Sequence, residues 1–183
     1  MKEIILDKPF LSENEYFLFE EKSELKHEYI NSTLFEMSGA SMDHNFIVIN
    51  LLFLLKPAAK NKGKQTNIDG YKVRTPDGNF FYPDLVISEP KGEKYYTEKP
   101  ILIVEVLSNS TRLYNLSDKF IQYRKCNTLE YYLCVEPEKK VVYFFRREDN
   151  NEWIAEEPYT DDEAIVSLPS LNTSLALKDI YQS

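Results

Sequence analysis

Seven consecutive residues, Ile101-Leu102-Ile103-Val104-Glu105-Val106-Leu107, constrain this chain more than any other segment. Their continuous apolar composition is that of a central strand covered on both faces. Alternation along a strand sends the Glu105 side chain the same way as Ile101, Ile103 and Leu107. An unpaired carboxylate in that setting costs several kcal/mol, so Glu105 must be protonated, paired or bound to a cation. A plainer reading is equally open, in which Glu105 lies at the wet end of the strand and closes a loop.

A second acid sits in a similar frame. Tyr82-Pro83-Asp84-Leu85-Val86-Ile87 places Asp84 at the start of an apolar run, alternating with Leu85 and Ile87. Pro-Asp is also a common turn pair that needs no function. The two acids are 21 residues apart, which is room for a strand, a loop and a return strand alongside. If they converge, two carboxylates at neighbouring strand ends form an oxygen-rich site suited to Mg²⁺ or Mn²⁺. One cation would account for both acids.

The remaining pattern is that of a single α+β domain over residues 1–183. Ser12-Glu13-Asn14-Glu15 has the form of a capping box and predicts a helix to about Glu24. Glu28–Met37 reads as a hairpin joined at Asn31-Ser32, and Met42 to about Lys60 as a helix capped by Ser41 or Asp43. Pro57 is expected to kink or shorten that helix. Strands are expected over 65–75, 80–88, 101–107, 129–136 and 141–147, with Lys91–Pro100 as a polar loop. A helix over Leu116–Cys126, with Asn115 as N-cap, separates two apolar strands and predicts one parallel crossover in a mixed, largely antiparallel sheet.

Lys119 falls early in that helix, and Asn115, Lys119 and Tyr123 share one face. A lysine there is either solvated or positioned to act on a water or a phosphoryl group. The only two cysteines, Cys126 and Cys134, have neither metal-type nor redox-type spacing, as expected in a reduced cytosol. No run reaches the ~18 apolar residues of a membrane span, and the first ten residues lack a signal-peptide apolar block. A cytoplasmic location is expected. The net charge of −8 argues against a non-specific nucleic-acid coat.

Pro83-Asp84, then Ile103-Val104-Glu105-Val106-Leu107-Ser108, Ser110-Thr111, Tyr114, Lys119, Tyr123 and Glu130-Tyr131-Tyr132-Leu133 resemble the Uma2 (DUF820) family. Upstream, His27-Glu28-Tyr29-Ile30, Glu36-Met37 and His44 are similar to that family's opening. These proteins are viewed as restriction-endonuclease-like members of the PD-(D/E)xK nuclease superfamily. The resemblance runs in consistent order from about Ser12 to Arg147. It implies a restriction-endonuclease-like mixed β-sheet flanked by helices, with an N-terminal helix and hairpin, and a Mg²⁺- or Mn²⁺-dependent phosphodiesterase site. It makes Asp84 and Glu105 metal ligands, with the Val106 carbonyl as a third. The superfamily lysine normally follows the Glu by two positions, where this chain has Leu107, so Lys119 becomes the substitute. Glu28 could hold an outer-sphere water, His44 could assist proton transfer and Tyr123 could support Lys119, although each also has an ordinary structural reading.

The expected activity is metal-dependent cleavage of nucleic acid, DNA first, by an endonuclease. A homodimer is expected if two strands are to be cut, with an aromatic surface to support it. The alternative is a nuclease-fold module that binds or assembles without cutting, and a hydrolase of small phosphoesters is a third reading.

Overall fold

The computed structural model describes residues 2–4, 11–37, 39–108 and 111–182. A short strand β1 (Lys2–Ile4) precedes helix α1 (Glu13–Glu20). The capping box is formed: the Ser12 hydroxyl accepts from the Glu15 N–H at 3.3 Å, and the Glu15 carboxylate accepts from the Ser12 N–H at 2.9 Å. The helix ends at Glu20, one turn before the expected limit. Strands β2 (His27–Ile30) and β3 (Thr33–Glu36) make the expected hairpin. Asn31 and Ser32 at its tip have φ of 50° and 65°, the two left-handed residues of a tight hairpin turn.

Helix α2 (Met42–Asn61) is capped by Ser41, whose hydroxyl accepts from the His44 N–H at 3.2 Å. It runs through Pro57 for another turn, so the proline neither stops nor shortens it. Pro57 is exposed, and water can take the carbonyl bond that its missing N–H leaves open.

Next come β4 (Gln65–Ile68), β5 (Lys72–Arg74), β6 (Phe80–Phe81), β7 (Leu85–Ser88), β8 (Tyr96–Thr97) and β9 (Pro100–Val106). Two expected strands are therefore each broken in two. The 65–75 run turns at Asp69-Gly70, with φ of 45° and 104°, and the 80–88 run breaks at Tyr82-Pro83-Asp84. In both cases the halves belong to different sheets. The expected loop before β9 also contributes β8.

The crossover segment begins earlier than predicted, as α3 (Arg112–Tyr114), a π-helical turn (Asn115–Lys119) and α4 (Phe120–Tyr123). Asn115 is thus inside the helix and does not cap it. Beyond it lie β10 (Tyr131–Glu136), β11 (Val141–Arg147), β12 (Trp153–Ala155), β13 (Ile165–Leu168), β14 (Thr173–Ala176) and α5 (Leu177–Ile180).

The larger sheet has the order β12-β11-β10-β9-β7-β4, with β9 and β10 parallel and its other neighbours antiparallel. Its centre is the apolar strand that the sequence marked. One face packs on α2, through Ile47, Leu51, Leu55 and Ala59, and on the β13–α5 segment. On the other face, Ile103, Leu107 and Val86 meet Phe120, Tyr123 and Phe81. Ile101 departs from the expected alternation and joins the α2 side, beyond a bulge at Ile87/Ser88. The second sheet, β1-β3-β2-β6-β5-β8, carries α1 over Tyr16, Tyr29, Leu34 and Phe80.

Candidate active site

Leu85 pairs with Val104 across the antiparallel β7–β9 ladder, so Asp84 and Glu105, one step further, stand opposite each other. The convergence that the spacing allowed is realised. The break at Tyr82-Pro83-Asp84 frees the Asp84 side chain to fold over the end of β9, where Oδ2 accepts from the Val106 N–H at 2.6 Å. Its Oδ1 lies 3.1 Å from His44 Nε2, delivered by the first turn of α2. His44 is therefore not a solvated helix-start residue. Its Nδ1 is buried without a hydrogen-bond partner among the described residues.

Deeper in, Lys119 Nζ lies 2.9 Å from Glu105 Oε1 and 2.8 Å from Glu28 Oε1. It also donates to the Tyr82 carbonyl at 3.4 Å. The Tyr123 hydroxyl donates to Glu105 Oε1 at 3.1 Å. Glu28, from β2 of the second sheet, accepts from the Tyr82 N–H at 3.2 Å, and its Oε2 is buried with no partner among the described residues. Glu28, Glu105 and Lys119 are only 1–3% exposed, which excludes the solvated readings of Lys119 and Glu28. Asp84 and His44 are partly exposed at the mouth of the same cleft.

Local backbone puts Lys119 there. The π-helical turn widens the helix by one residue, a device often found at functional positions. Asn115, Lys119 and Tyr123 still share the inward face, and Tyr132 holds the turn by donating its hydroxyl to the Asn115 carbonyl at 2.8 Å. Lysine's long, flexible side chain carries the ammonium from this helix to Glu105 on the strand.

Three carboxylates face one ammonium, and the protonation preferences follow from that imbalance. Burial pushes the Glu105 carboxyl up to about 8; Lys119 opposes the shift, while Asp84 and Glu28 add to it. Burial works against a charged Lys119, but Glu105 and Glu28 more than offset it and raise its pKa. Tyr123 is raised well above its ordinary value by burial and then by Glu105, so it stays a neutral donor. His44 is raised as well, because its hydrogen bond to Asp84 and that residue's charge overcome the opposing effect of burial.

The donor set fits a divalent cation. The cleft holds excess negative charge and hard oxygen donors, including the partnerless Oε2 of Glu28. Among the described residues no three carboxylate, imidazole or thiol groups form a ready-made cage. Two carboxylates and a carbonyl, with water completing the shell, is the arrangement Mg²⁺ favours, because it dehydrates reluctantly. The cleft has a volume of about 630 Å³, and Arg112 and Lys139 line its rim beside Glu136 and Glu138. Arg112 is held by Glu136 Oε1 and the Tyr143 hydroxyl, both at 2.6 Å. Sequence reasoning missed Tyr82, whose backbone binds Glu28 and Lys119. Its position beside Pro83, at the break between two strands, was the available signal.

Comparison with known proteins places this chain in a family. The Synechocystis protein slr1290 is 28% identical over 178 residues, covering 95% of this chain and 93% of its own length. A second Synechocystis protein, sll1609, is 26% identical, covering 84% of this chain and 90% of its own. A crystal structure from Anabaena variabilis, titled as a "putative nuclease belonging to DUF820", superposes with a TM-score of 0.74 at 17% identity. It covers 92% of this chain and 96% of the Anabaena chain, a likeness of fold. No helix among the described residues is long and apolar enough to cross a membrane. The Uma2 family model, described as "Putative restriction endonuclease", matches residues 13–178, and the chain belongs to that family.

Proposed function

We propose that this chain hydrolyses nucleic-acid phosphodiester bonds, DNA in the first instance, using Mg²⁺ or Mn²⁺ held by Asp84, Glu105 and the Val106 carbonyl. The observation that carries the reading is the meeting of Asp84, Glu105 and Lys119 from separate elements in one cleft. When bound, the cation supplies an acidified water and charge for the phosphorane oxygens.

The chain's own residues do the rest. The Val106 N–H and His44 fix both oxygens of Asp84, so its carboxylate enters the cleft already oriented. Tyr123 does the same for Glu105 Oε1. Lys119 remains charged and can orient the attacking water or neutralise a phosphate oxygen. Glu28 and the Tyr82 carbonyl tether the ammonium against thermal wandering of a long side chain.

The test compares wild type with Glu105→Ala on plasmid, linear duplex, single-stranded DNA and RNA, with Mg²⁺, Mn²⁺ or EDTA. Cleavage that needs metal and is lost in the variant supports the reading. Cleavage that persists in Glu105→Ala or Asp84→Ala overturns the assignment. Tight binding without cleavage, indifferent to chelator, supports the binding-module alternative.

A further inference from the structure

Tyr82 is held by its side chain as well as by its main chain. Its hydroxyl donates to Glu20 Oε1 at 2.7 Å, and the Lys72 ammonium lies over its ring, 4.7 Å from the centroid. Glu20, the last residue of α1, is itself fixed: Oε1 also accepts from the His27 N–H at 2.9 Å, and Oε2 meets His27 Nδ1 at 3.0 Å. Lys72, on β5, is 4% exposed and makes no ion pair among the described residues. The rings of Tyr16, Phe17 and Tyr95 surround it, with centroids 5.4–5.9 Å from the ammonium. Two opposite charges are thus largely withdrawn from water in an aromatic cluster outside the cleft lining, where apolar residues of similar size would cost less. Both converge on Tyr82.

We propose that Glu20 and Lys72 are positioning residues for Lys119, acting through Tyr82. The role rests on the reading of Lys119 as part of the cleavage site and names what holds it there. Glu28 and Glu105 attract the ammonium from two sides, and the Tyr82 carbonyl supplies its third, uncharged contact. That carbonyl belongs to the break between β6 and β7, where neither strand ladder fixes the main chain. Side-chain anchoring takes the ladder's place. Glu20 fixes the tip of the ring and Lys72 its face, and a cation over the ring makes the phenol a stronger donor to a carboxylate. Rotation of the main chain at Tyr82 would break both contacts and withdraw the carbonyl from Lys119. Asp84 follows two residues later, so the same anchor bears on a proposed metal ligand.

Tyr82→Phe is the main test, because it keeps the ring and both main-chain contacts and deletes only the link to Glu20. Glu20→Ala and Lys72→Met should act in the same direction, while Glu20→Gln keeps an acceptor for the hydroxyl and should rescue. Ammonium signals of the full chain labelled with nitrogen-15 lysine read the tether directly, with Lys119 assigned by its loss in Lys119→Arg. In Tyr82→Phe and Glu20→Ala the Lys119 ammonium protons should exchange with water about threefold faster or more, and in Glu20→Gln at the wild-type rate. With Mg²⁺, the same two variants should lower kcat about tenfold while KM changes by less than about twofold. If wild type cuts no nucleic acid, the cleavage reading fails, and the exchange rates still decide whether Tyr82 tethers Lys119. Unchanged exchange in Tyr82→Phe and Glu20→Ala overturns the proposal, even if both melt at lower temperature. Faster exchange with unchanged kcat in an active enzyme overturns it as well.

Discussion

Lys119 Nζ lies 2.9 Å from Glu105 Oε1, although one residue comes from a π-helical turn and the other from the central strand. Both are almost fully buried, so each depends on the other to remain in place. Breaking a buried pair by removing one partner is far more damaging than removing both.

Lys119→Met should therefore lower unfolding stability by about 3–5 kcal/mol, because Glu28 and Glu105 are left without their cation. Adding Glu105→Gln to that variant should recover a substantial part of the loss. Urea unfolding of the single and double variants gives the coupling directly, and simple additivity would contradict the pairing.

Burial raises Glu105 from about 4.5 to about 8, so the folded state binds more protons than the unfolded chain between those pH values. Stability from this group is complete below about pH 4.5 and is lost as pH rises through about 8. In EDTA, the melting temperature of wild type should fall over that window more steeply than that of Glu105→Gln. Saturating Mg²⁺ should flatten the decline, because a cation takes the place of the proton.

His44 contacts Asp84 Oδ1 and is raised in pKa, so in mildly acidic solution it presents positive charge to a proposed metal ligand. His44→Gln keeps a polar partner and removes the charge. Titration calorimetry should find Mn²⁺ binding severalfold tighter in the variant near pH 6, with the two proteins converging near pH 9. Equal affinity at pH 6 would show that His44 does not compete for Asp84.

Tyr123→Phe deletes the hydroxyl that donates to Glu105 Oε1. The loss should be about 1 kcal/mol of stability. It should also move the Glu105 titration further upward, since a donor to the charged carboxylate has gone. Infrared spectroscopy of the carboxyl stretch against pH would read that shift without any assay of cleavage.

Much of the fold was legible because it is written in local chemistry. The capping box at Ser12, the hairpin at Asn31-Ser32, the Ser41 cap and the parallel crossover from β9 to β10 all depend on neighbours within a few residues or on strong periodicity. The strand breaks were less visible. Residues 65–75 and 80–88 have continuous strand-like composition, and only packing of two sheets decided that each run should turn and divide.

The candidate site divides along the same line. A carboxylate inside an apolar strand is costly, so Glu105 stood out in the sequence beside an equally open wet-end reading, and the room between two strands allowed Asp84 to converge on it. Glu28, His44 and Tyr123 carried no comparable local cost, and Lys119 read as well on a wet helix face. Their roles depend on distances between residues far apart in the chain: 40 positions separate His44 from Asp84, and 91 separate Glu28 from Lys119. Sequence alone marked the strand in which a carboxylate, once buried, must be compensated. Only tertiary packing determined what compensates it, because the nearest partners of a buried charge are chosen by the elements that close over it.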